Sequence, residues 1–298
     1  MIRCHRILLI FLALVPIAAE AGNLDIVIVK SSDNTYFNQS IETLIDQVDR
    51  AARFKVVTSD ELGNLELDSD QVPLFVALGL PAARAVEKAD PGAISFNAYL
   101  TYEQYRELKP ANQVGVLLDQ PLYRYLAFCK FLLATDSVGT IVEQPVDLDA
   151  QESRLLDELN LSFNQYRVDE QNKLLPVLRR LLQQNDALLM LPRKAIFNRQ
   201  SLKGVLLTSY RFRKPAISYS PAHVRAGALA SIYSSPEDIG RHLAVLINRL
   251  LQQPESPLPA YEFARFYTIA TNSRVARALE LELPGEPELR ARMELVEP

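Results

Sequence analysis

The side chains best suited to hold a charged ligand lie in a stretch of the sequence that contains no acid. Between Asp186 and Glu237 the chain has eight lysines and arginines and no aspartate or glutamate, although its formal net charge is −4. Arg193 and Lys194 come after the apolar run DALLML, separated from it only by Pro192, and a guanidinium can bind a carboxylate or phosphate through two parallel hydrogen bonds. For these two bases a place in a ligand cleft and a place on a solvated face both stay open, whereas we expect Lys203 on the outer surface.

Other polar groups follow predicted strands. Gly79, Leu80 and Pro81 join a strand to a helix. Free backbone N–H groups at such a helix start can hold a carboxylate or phosphate, although an ordinary strand-to-helix turn would explain the same residues. Tyr219 can offer a ring face and a hydroxyl group. His223, in the same turn, can donate a hydrogen bond to a ligand.

The sequence contains little that would support catalysis. Its three histidines and two cysteines are not spaced as metal ligands. It has no G-x-S-x-G nucleophile turn and no phosphate-binding loop of the Walker type. We expect Cys129, within the apolar segment YLAFCKFLL, to be a buried filler, and His242 to be a surface or packing residue on a helix. The sequence therefore predicts no enzyme, no catalytic residue, no metal site and no cofactor.

The first 21 residues have the pattern of a secretory signal peptide. A basic start at Arg3 precedes an uncharged apolar run from Ile7 to Ala19, and a small-x-small cleavage pattern ends at Ala21. The run is shorter than the ~20 residues that a membrane-spanning helix needs, which argues against an anchor. The sequence predicts cleavage after Ala21 and a mature protein in the periplasm.

Short β-rich runs alternate with segments of helical periodicity through the rest of the chain. The runs form two series, first LDIVIV, FKVVT, VPLFVALG, GAISF and QVGVLL, then SVGTIV, a strand near Tyr166, DALLML, KPAISY and RFYTIA. Strands that alternate with helices form parallel βαβ units. The sequence therefore predicts an α/β protein of two lobes, each a parallel sheet flanked by helices. Ligands of such sheets bind outside the carboxyl ends of the strands.

Several of the loops after these strands carry a family resemblance. The segments concerned are VALGLPAARA (76–85), NQVGVLLDQP (112–121), DALLMLPRKAIF (186–197), KPAISYSPAHVRAGALASIYSSPEDIGRHLAVLINRLL (214–251) and FARFYTIATNSRVARALELELP (263–284). In this order and spacing, the chain resembles the ABC transporter substrate-binding protein family with the type 1 periplasmic-binding fold, the group that includes aromatic amino acid binders. The segments span most of the chain after the leader.

The resemblance implies a division of the chain between two lobes. It assigns residues 23–135 and 232–253 to the N-lobe, and residues 136–231 and 260–284 to the C-lobe. Crossings between the lobes are expected near residues 118–121, 219–231 and 253–261. In the second crossing the run of small residues would pass beside the cleft, where a close backbone approach would explain Gly227. Residues 285–298, rich in Pro and Glu, are expected to form a loose tail.

The resemblance also indicates where a ligand would bind. Turns that often carry an acid in the family read FNAYLT (96–101) and YSPAHV (219–224) here, without an acid. A cleft that lacks acids but contains Arg193 and Lys194 would prefer an anionic or carboxylate-bearing solute. The predicted ligand-binding residues are Ser31, Ser32, Gly79, Leu80, Pro81, Asn97, Tyr99, Arg193, Lys194, Tyr219, Ser220, His223 and Gly227.

The function that the resemblance implies is that of a periplasmic solute-binding protein. Such a protein is expected to be a monomer that closes its lobes on a small solute and presents it to an ABC permease, and touches the membrane only through that permease. The mildly acidic composition gives no bias toward nucleic acid. The alternative is a ligand-sensing or scaffolding protein of the same fold that docks on a sensor kinase or a cell-wall enzyme. A polar, open cleft would favour solute binding, and a cleft filled with apolar side chains would favour docking.

Overall fold

Strands and helices alternate along the chain, as the sequence pattern predicts. The computed structural model describes residues 24–49, 52–65, 73–108, 112–169, 173–254 and 256–297, so the predicted leader lies outside the described residues. The strands are β1 Leu24–Lys30, β2 Ala52–Thr58, β3 Leu74–Leu78, β4 Ser95–Leu100, β5 Gln113–Leu117, β6 Ser137–Val142, β7 Ser162–Arg167, β8 Ala187–Leu189, β9 Ala216–Ser218, β10 Ala230–Tyr233, β11 Tyr261–Phe263 and β12 Thr268–Thr271. The helices are α1 Thr35–Gln47, α2 Leu80–Ala89, α3 Tyr102–Glu107, α4 Leu122–Leu133, α5 Ala150–Leu159, α6 Leu174–Gln184, α7 Arg199–Arg211, α8 Pro221–Ala226, α9 Pro236–Gln252, α10 Ser273–Ala278 and α11 Glu286–Glu294.

The first lobe is built on a sheet of order β11-β5-β4-β3-β1-β2. All of its strand pairs are parallel. Helices α1 and α9 bury their apolar sides on one face of the sheet, through Leu44 and Leu243 among others. Helix α2 covers the other face with Ala82 and Val86, and α3 adds Tyr105. Because both faces are covered, the central strands read as continuous apolar runs rather than alternating ones.

The second lobe repeats this plan with one antiparallel edge. Its sheet has the order β12-β10-β9-β8-β6-β7, and β12 runs antiparallel to β10 while the other pairs are parallel. Helices α4, α5, α10 and α11 contribute to the core on one face, and α6, α7 and α8 to the core on the other. The predicted fold class, two α/β lobes with parallel sheets between helices, is confirmed. None of the helices in the described ranges is long and apolar enough to cross a bilayer.

The structure places three segments differently from the sequence-based lobe boundaries. Helix α4 was assigned to the first lobe, but Leu126, Phe128 and Cys129 pack in the core of the second. Strand β11 was assigned to the second lobe, but it pairs with β5 of the first. The segment expected as a loose tail contains α11, whose Leu289 and Met293 are fully buried against α4. In each case the lobe is decided by strand pairing or by apolar packing between segments far apart in the chain. The order of the segments along the chain reveals neither kind of contact.

The chain crosses between the lobes at residues 118–121, 234–235 and 264–267. The first crossing lies where the sequence predicted it, and the other two were predicted at the wrong places. The small residues before Ser234 do not cross. They form the end of α8 and then β10, which lies inside the second sheet. Gly227 is required by its φ of +121°, which ends α8, and not by crowding, because a Cβ there would meet nothing closer than 4.0 Å.

Helix α9 begins directly after the second crossing, at the capping box that the sequence predicts. The Ser235 side chain accepts a hydrogen bond from the Asp238 backbone N–H, and an Asp238 carboxylate oxygen accepts one from the Ser235 N–H. The same carboxylate accepts a 2.7 Å bond from the Thr268 hydroxyl. The helix start in the first lobe is thus tied to the first residue of β12 in the second.

Candidate functional site

A large cleft lies between the lobes at the carboxyl ends of their strands. Its volume is about 1930 Å³, larger than the roughly 300–1,000 Å³ of a typical small-molecule pocket. The first lobe contributes the start of α3 and the residues after β5, and the second contributes the loops after β6 and β8. The third crossing, residues 264–267, lines the cleft as well. The geometry therefore leaves room for a solute between groups from both lobes.

One ion pair joins the two lobes across this cleft. Arg193, in the loop after β8, places a guanidinium nitrogen 3.5 Å from a carboxylate oxygen of Glu103 on α3. The Glu103 side chain is 80% exposed and that of Arg193 is 35% exposed. Such an exposed pair contributes roughly 0–1 kcal/mol, so it is too weak to hold the lobes together and can yield to a ligand.

Asp119 is the more protected carboxylate beside this pair. It lies just beyond β5, after Leu118, is half-buried, and accepts a 2.6 Å hydrogen bond from the Tyr102 backbone N–H. Burial raises the pKa of Asp119, while the Tyr102 N–H and the nearby Arg193 guanidinium act in the opposite direction. A carboxylate that has lost much of its water but has few donors around it gains from a ligand cation.

The cleft carries both signs of charge, so the expected excess of bases is wrong. Arg193 and Lys194 do line it. The acids that line it are Glu103, Asp119, Glu143, Asp147, Asp149, Glu152, Asp238, Glu262, Glu294 and Glu297, and the bases are Arg106, Arg124, Arg193, Lys194, Arg241, Arg265 and Arg290. The acid-free stretch of sequence supplies only two of these residues, and loops elsewhere in the chain bring the carboxylates.

An aromatic wall flanks the charged part of the cleft. Tyr102 and Tyr261 lie with ring centroids 5.1 Å apart, and Phe263 follows at 6.1 Å from Tyr261. These three side chains are each more than a third exposed. The guanidinium of Arg106 lies 5.6 Å from the centre of the Tyr102 ring. Exposed rings of this kind offer stacking surface to a ring or a sugar face of a ligand.

The predicted residues after β1 and β3 contact each other rather than the large cleft. The Ser31 hydroxyl donates to the Leu78 carbonyl at 2.8 Å and accepts from the Ala82 N–H at 3.0 Å. The Ser31 hydroxyl therefore already accepts from a backbone N–H at the start of α2, one of the donors that the turn of Gly79, Leu80 and Pro81 was expected to offer to a ligand. Gly79 has a φ of +91°.

The remaining side chains of this part of the predicted set are also engaged within the first lobe. Ser32 is exposed and accepts from the Asn34 side chain. Asn97 is fully buried in the sheet and donates to Gln113 at 2.8 Å, so its side chain does not reach the cleft. Tyr99 packs its ring edge-on to Phe37. The Tyr99 hydroxyl lies 2.6 Å from that of Ser40, and burial raises the pKa of Tyr99 to about 12.

The predicted residues after β9 form a cluster inside the second lobe. His223 is buried, its Nδ1 lies 2.6 Å from the Ser218 hydroxyl, and burial lowers its pKa. The Tyr219 ring meets the His223 ring edge-on at 4.9 Å. Ser220 accepts from the Ala222 N–H at the start of α8. None of these side chains is among those that line the large cleft.

His242 is a packing residue, one of the two roles that the sequence analysis left open. It is almost fully buried on α9, where its Nδ1 accepts from the Arg265 backbone N–H and its Nε2 lies 2.9 Å from a Glu262 carboxylate oxygen. Since Nδ1 accepts, Nε2 carries the proton that is donated to Glu262. Among the residues that the structure describes, no group of three or more His, Cys, Asp or Glu could hold a metal ion.

Sequence reasoning missed Glu103, Asp119 and the aromatic wall. Asp119 carried a usable signal, because it is the first polar residue after a buried strand and falls within the resemblance segment NQVGVLLDQP. Tyr261 and Phe263 carried none. Their edge strand lies far along the chain from β5, and only the fold brings the two together.

Comparisons with known proteins give matches in structure alone. No family model and no curated protein matches the sequence. A substrate-binding protein with adhesive properties from Clostridium difficile, in its ligand-free, open form, is similar at a TM-score of 0.63 and 15% identity, over 89% of this chain and 97% of that one. A conserved domain protein from Vibrio cholerae has a TM-score of 0.53 at 15% identity, over 91% and 98%. An ABC transporter solute-binding protein from Conexibacter woesei has 0.50 at 12%, over 92% and 95%. The chain therefore has the two-lobed, type 1 periplasmic-binding fold that the sequence analysis predicted.

Proposed function

We propose that this protein is a solute-binding protein of the cell envelope, which closes its lobes on a small molecule and presents it to an ABC permease. The observation that carries the proposal is the polar cleft between the lobes, where Arg193 of one lobe meets Glu103 of the other. Two similar structures are described as a substrate-binding and an ABC transporter solute-binding protein. The predicted leader is consistent with export. N-terminal sequencing of the mature protein should therefore show Gly22 as the first residue.

The mixed charge of the cleft favours a ligand that carries both signs. Asp119 supplies a half-buried carboxylate for a cationic group, and Arg193 supplies a planar donor for a carboxylate. The wall of Tyr102, Tyr261 and Phe263 favours a flat ring or a sugar face. We therefore propose a zwitterionic organic solute, in place of the anionic or carboxylate-bearing one that the sequence favoured.

Calorimetric titration of two cleft variants tests this function. A panel of zwitterionic solutes is first screened by thermal shift. Hydrogen bonds to charged groups contribute roughly 1.5–3 kcal/mol. Since each ~1.4 kcal/mol is a factor of ten, Arg193→Ala and Asp119→Asn should each weaken binding about ten- to a hundredfold. Lys203→Ala, on the exposed side of α7, is the control and should change little.

A further variant separates ligand contact from lobe contact. Arg193→Ala also removes the pair with Glu103, whereas Glu103→Ala breaks the same pair but leaves the Arg193 guanidinium in the cleft. If Glu103→Ala weakened binding as much as Arg193→Ala, Arg193 would act through the lobe contact and not through the ligand. If the variants at Arg193, Asp119 and Lys203 all lost equally little affinity, the ligand would have to bind outside this cleft.

The docking alternative has less support. A scaffold that docks on a sensor kinase or cell-wall enzyme was expected to have a cleft filled with apolar side chains. The cleft is instead open and lined mainly by charged and aromatic side chains.

A further inference from the structure

All three crossings between the lobes are joined by one hydrogen-bond network. Gln120, in the first crossing, donates from its side-chain amide to the Ser234 hydroxyl of the second at 2.9 Å. The Ser234 hydroxyl donates to the Phe266 carbonyl of the third at 2.6 Å. Because the crossings are hydrogen-bonded to one another, a change in the backbone angles at one crossing must be accommodated at the other two.

Arg124 is the centre of this network. It lies in the first turn of α4, in the second lobe, and is 3% exposed. One guanidinium nitrogen donates both to the Gln120 side-chain oxygen at 2.6 Å and to the Ala264 carbonyl at 2.8 Å. Ala264 packs in the core of the first lobe. Arg124 thus bonds from one lobe to the other at the hinge itself.

Glu297 holds the opposite side of the same guanidinium. Its two carboxylate oxygens accept from the Nε and an Nη of Arg124, both at 2.6 Å, and one of them also accepts from the Tyr123 hydroxyl at 2.8 Å. This is a two-pronged pair, which fixes orientation as well as charge. The Tyr267 ring lies 4.8 Å from the guanidinium carbon and closes the site. With Glu297 in place, Arg124 is aimed at the Ala264 carbonyl.

Helix α11 positions Glu297. Its Leu289 and Met293 are buried against α4. Arg290 of the same helix donates to the Tyr267 carbonyl in the third crossing at 3.2 Å. The helix is therefore attached both to the second lobe and to the hinge.

We infer that α11 and Glu297 form a hinge brace, in which Glu297 orients Arg124 and thereby restricts the range of angles between the lobes before any solute binds. In this scheme Glu297 and Arg124 are positioning residues: although both line the cleft, they act on the hinge through the hydrogen bonds described above. The inference uses the lobe motion of the proposed function but does not depend on the solute. It is accordingly tested on the ligand-free protein.

The test measures the distance between the lobes with two spin labels. Lys88→Cys on α2 and Lys203→Cys on α7 place one label on an exposed site of each lobe. Cys129 is fully buried and stays in place, and Cys4→Ser removes the leader thiol. Pulsed electron–electron double resonance then gives the distribution of distances between the two labels in the full chain without ligand.

The decisive variants are Glu297→Gln and Ser234→Ala. The first removes the charge that aims Arg124, and the second breaks the link between the crossings. Both should broaden the distance distribution and add a population at longer distances. Glu288→Gln makes the same chemical change at an exposed position of α11 and should leave the distribution as in the parent.

Thermal unfolding of each variant shows whether the fold is intact. If the Glu297→Gln and Ser234→Ala proteins are folded and keep the parent distribution of inter-label distances, the brace is refuted. The hydrogen-bond network would then have a structural role only. A broadening by Glu288→Gln as large as that by Glu297→Gln would do so as well. Failure of the wild type to bind any solute would contradict the proposed function and leave this result unaffected.

Discussion

The substitution Gly240→Ala should show whether packing between helices or intrinsic helix propensity decides the stability at this position. Gly240 lies within α9 and faces α1. A Cβ added there would meet the backbone carbonyl oxygen of Ser40 far inside van der Waals contact, and the Thr43 Cβ at 2.9 Å. Alanine is favoured over glycine in a helix interior by ~1 kcal/mol, so propensity alone predicts a stabilised protein. The closest atom belongs to backbone, however, which cannot turn away as a side chain can.

The clash should outweigh the propensity. Overpacking typically costs about 1–3 kcal/mol, and a contact with backbone belongs at the upper end of that range. After subtraction of the ~1 kcal/mol gained from alanine, we expect Gly240→Ala to lower the free energy of unfolding by about 2 kcal/mol. The helices α1 and α9 would have to move apart, which also strains the 2.7 Å bond from the Ser40 hydroxyl to the Pro236 carbonyl.

A matched control comes from the helix interior of the other lobe. At Gly204 on α7 an added Cβ would find its nearest atom, Leu175 Cδ2, at 3.9 Å. Gly204→Ala should therefore stabilise the protein by roughly 0.5–1 kcal/mol. Urea unfolding followed by circular dichroism measures both variants. If Gly240→Ala were as stable as Gly204→Ala, the close approach of α1 and α9 would be refuted.

Two further predictions follow from buried titratable groups. Burial lowers the pKa of His223, so the unfolded chain takes up a proton that the folded chain resists. The stability is present above the unfolded pKa of about 6.5 and is lost as the pH falls below it. His223→Asn should show a shallower loss on acidification in urea titrations, and an unchanged slope would contradict burial of the imidazole. Burial also raises the pKa of the Cys129 thiol. A disulfide reagent should react with Cys129 only in denaturant, and rapid reaction in the native protein would show that the core around α4 opens.

The fold was predictable because its signals are local and repeated. Buried parallel strands read as short apolar runs, and helix starts such as the capping box of Ser235 and Asp238 are visible in four residues. The two-series order of strands then implied two lobes. Which lobe receives α4 or β11 depends on contacts between segments far apart in the chain, and these leave no local pattern.

The site was harder to predict, because its composition is assembled from separate loops. The acid-free stretch around Arg193 suggested a basic cleft, yet Asp119 and Glu143 enter it from loops after other strands. A segment's charge describes the cleft only when that segment supplies most of the lining. The tail illustrates a second limit. Leu289 and Met293, four residues apart on α11, carry its whole apolar side, and their signal was hidden in a segment rich in Pro and Glu.

Small-angle scattering with and without a saturating solute tests the central claim, that the lobes close on a ligand in the cleft between them. The three crossings at residues 118–121, 234–235 and 264–267 are the places where the angle between the lobes can change. With a solute identified by thermal shift and shown by calorimetry to occupy the protein fully, the radius of gyration should fall. A radius that stays the same at full occupancy would contradict closure and with it the proposed mode of solute binding.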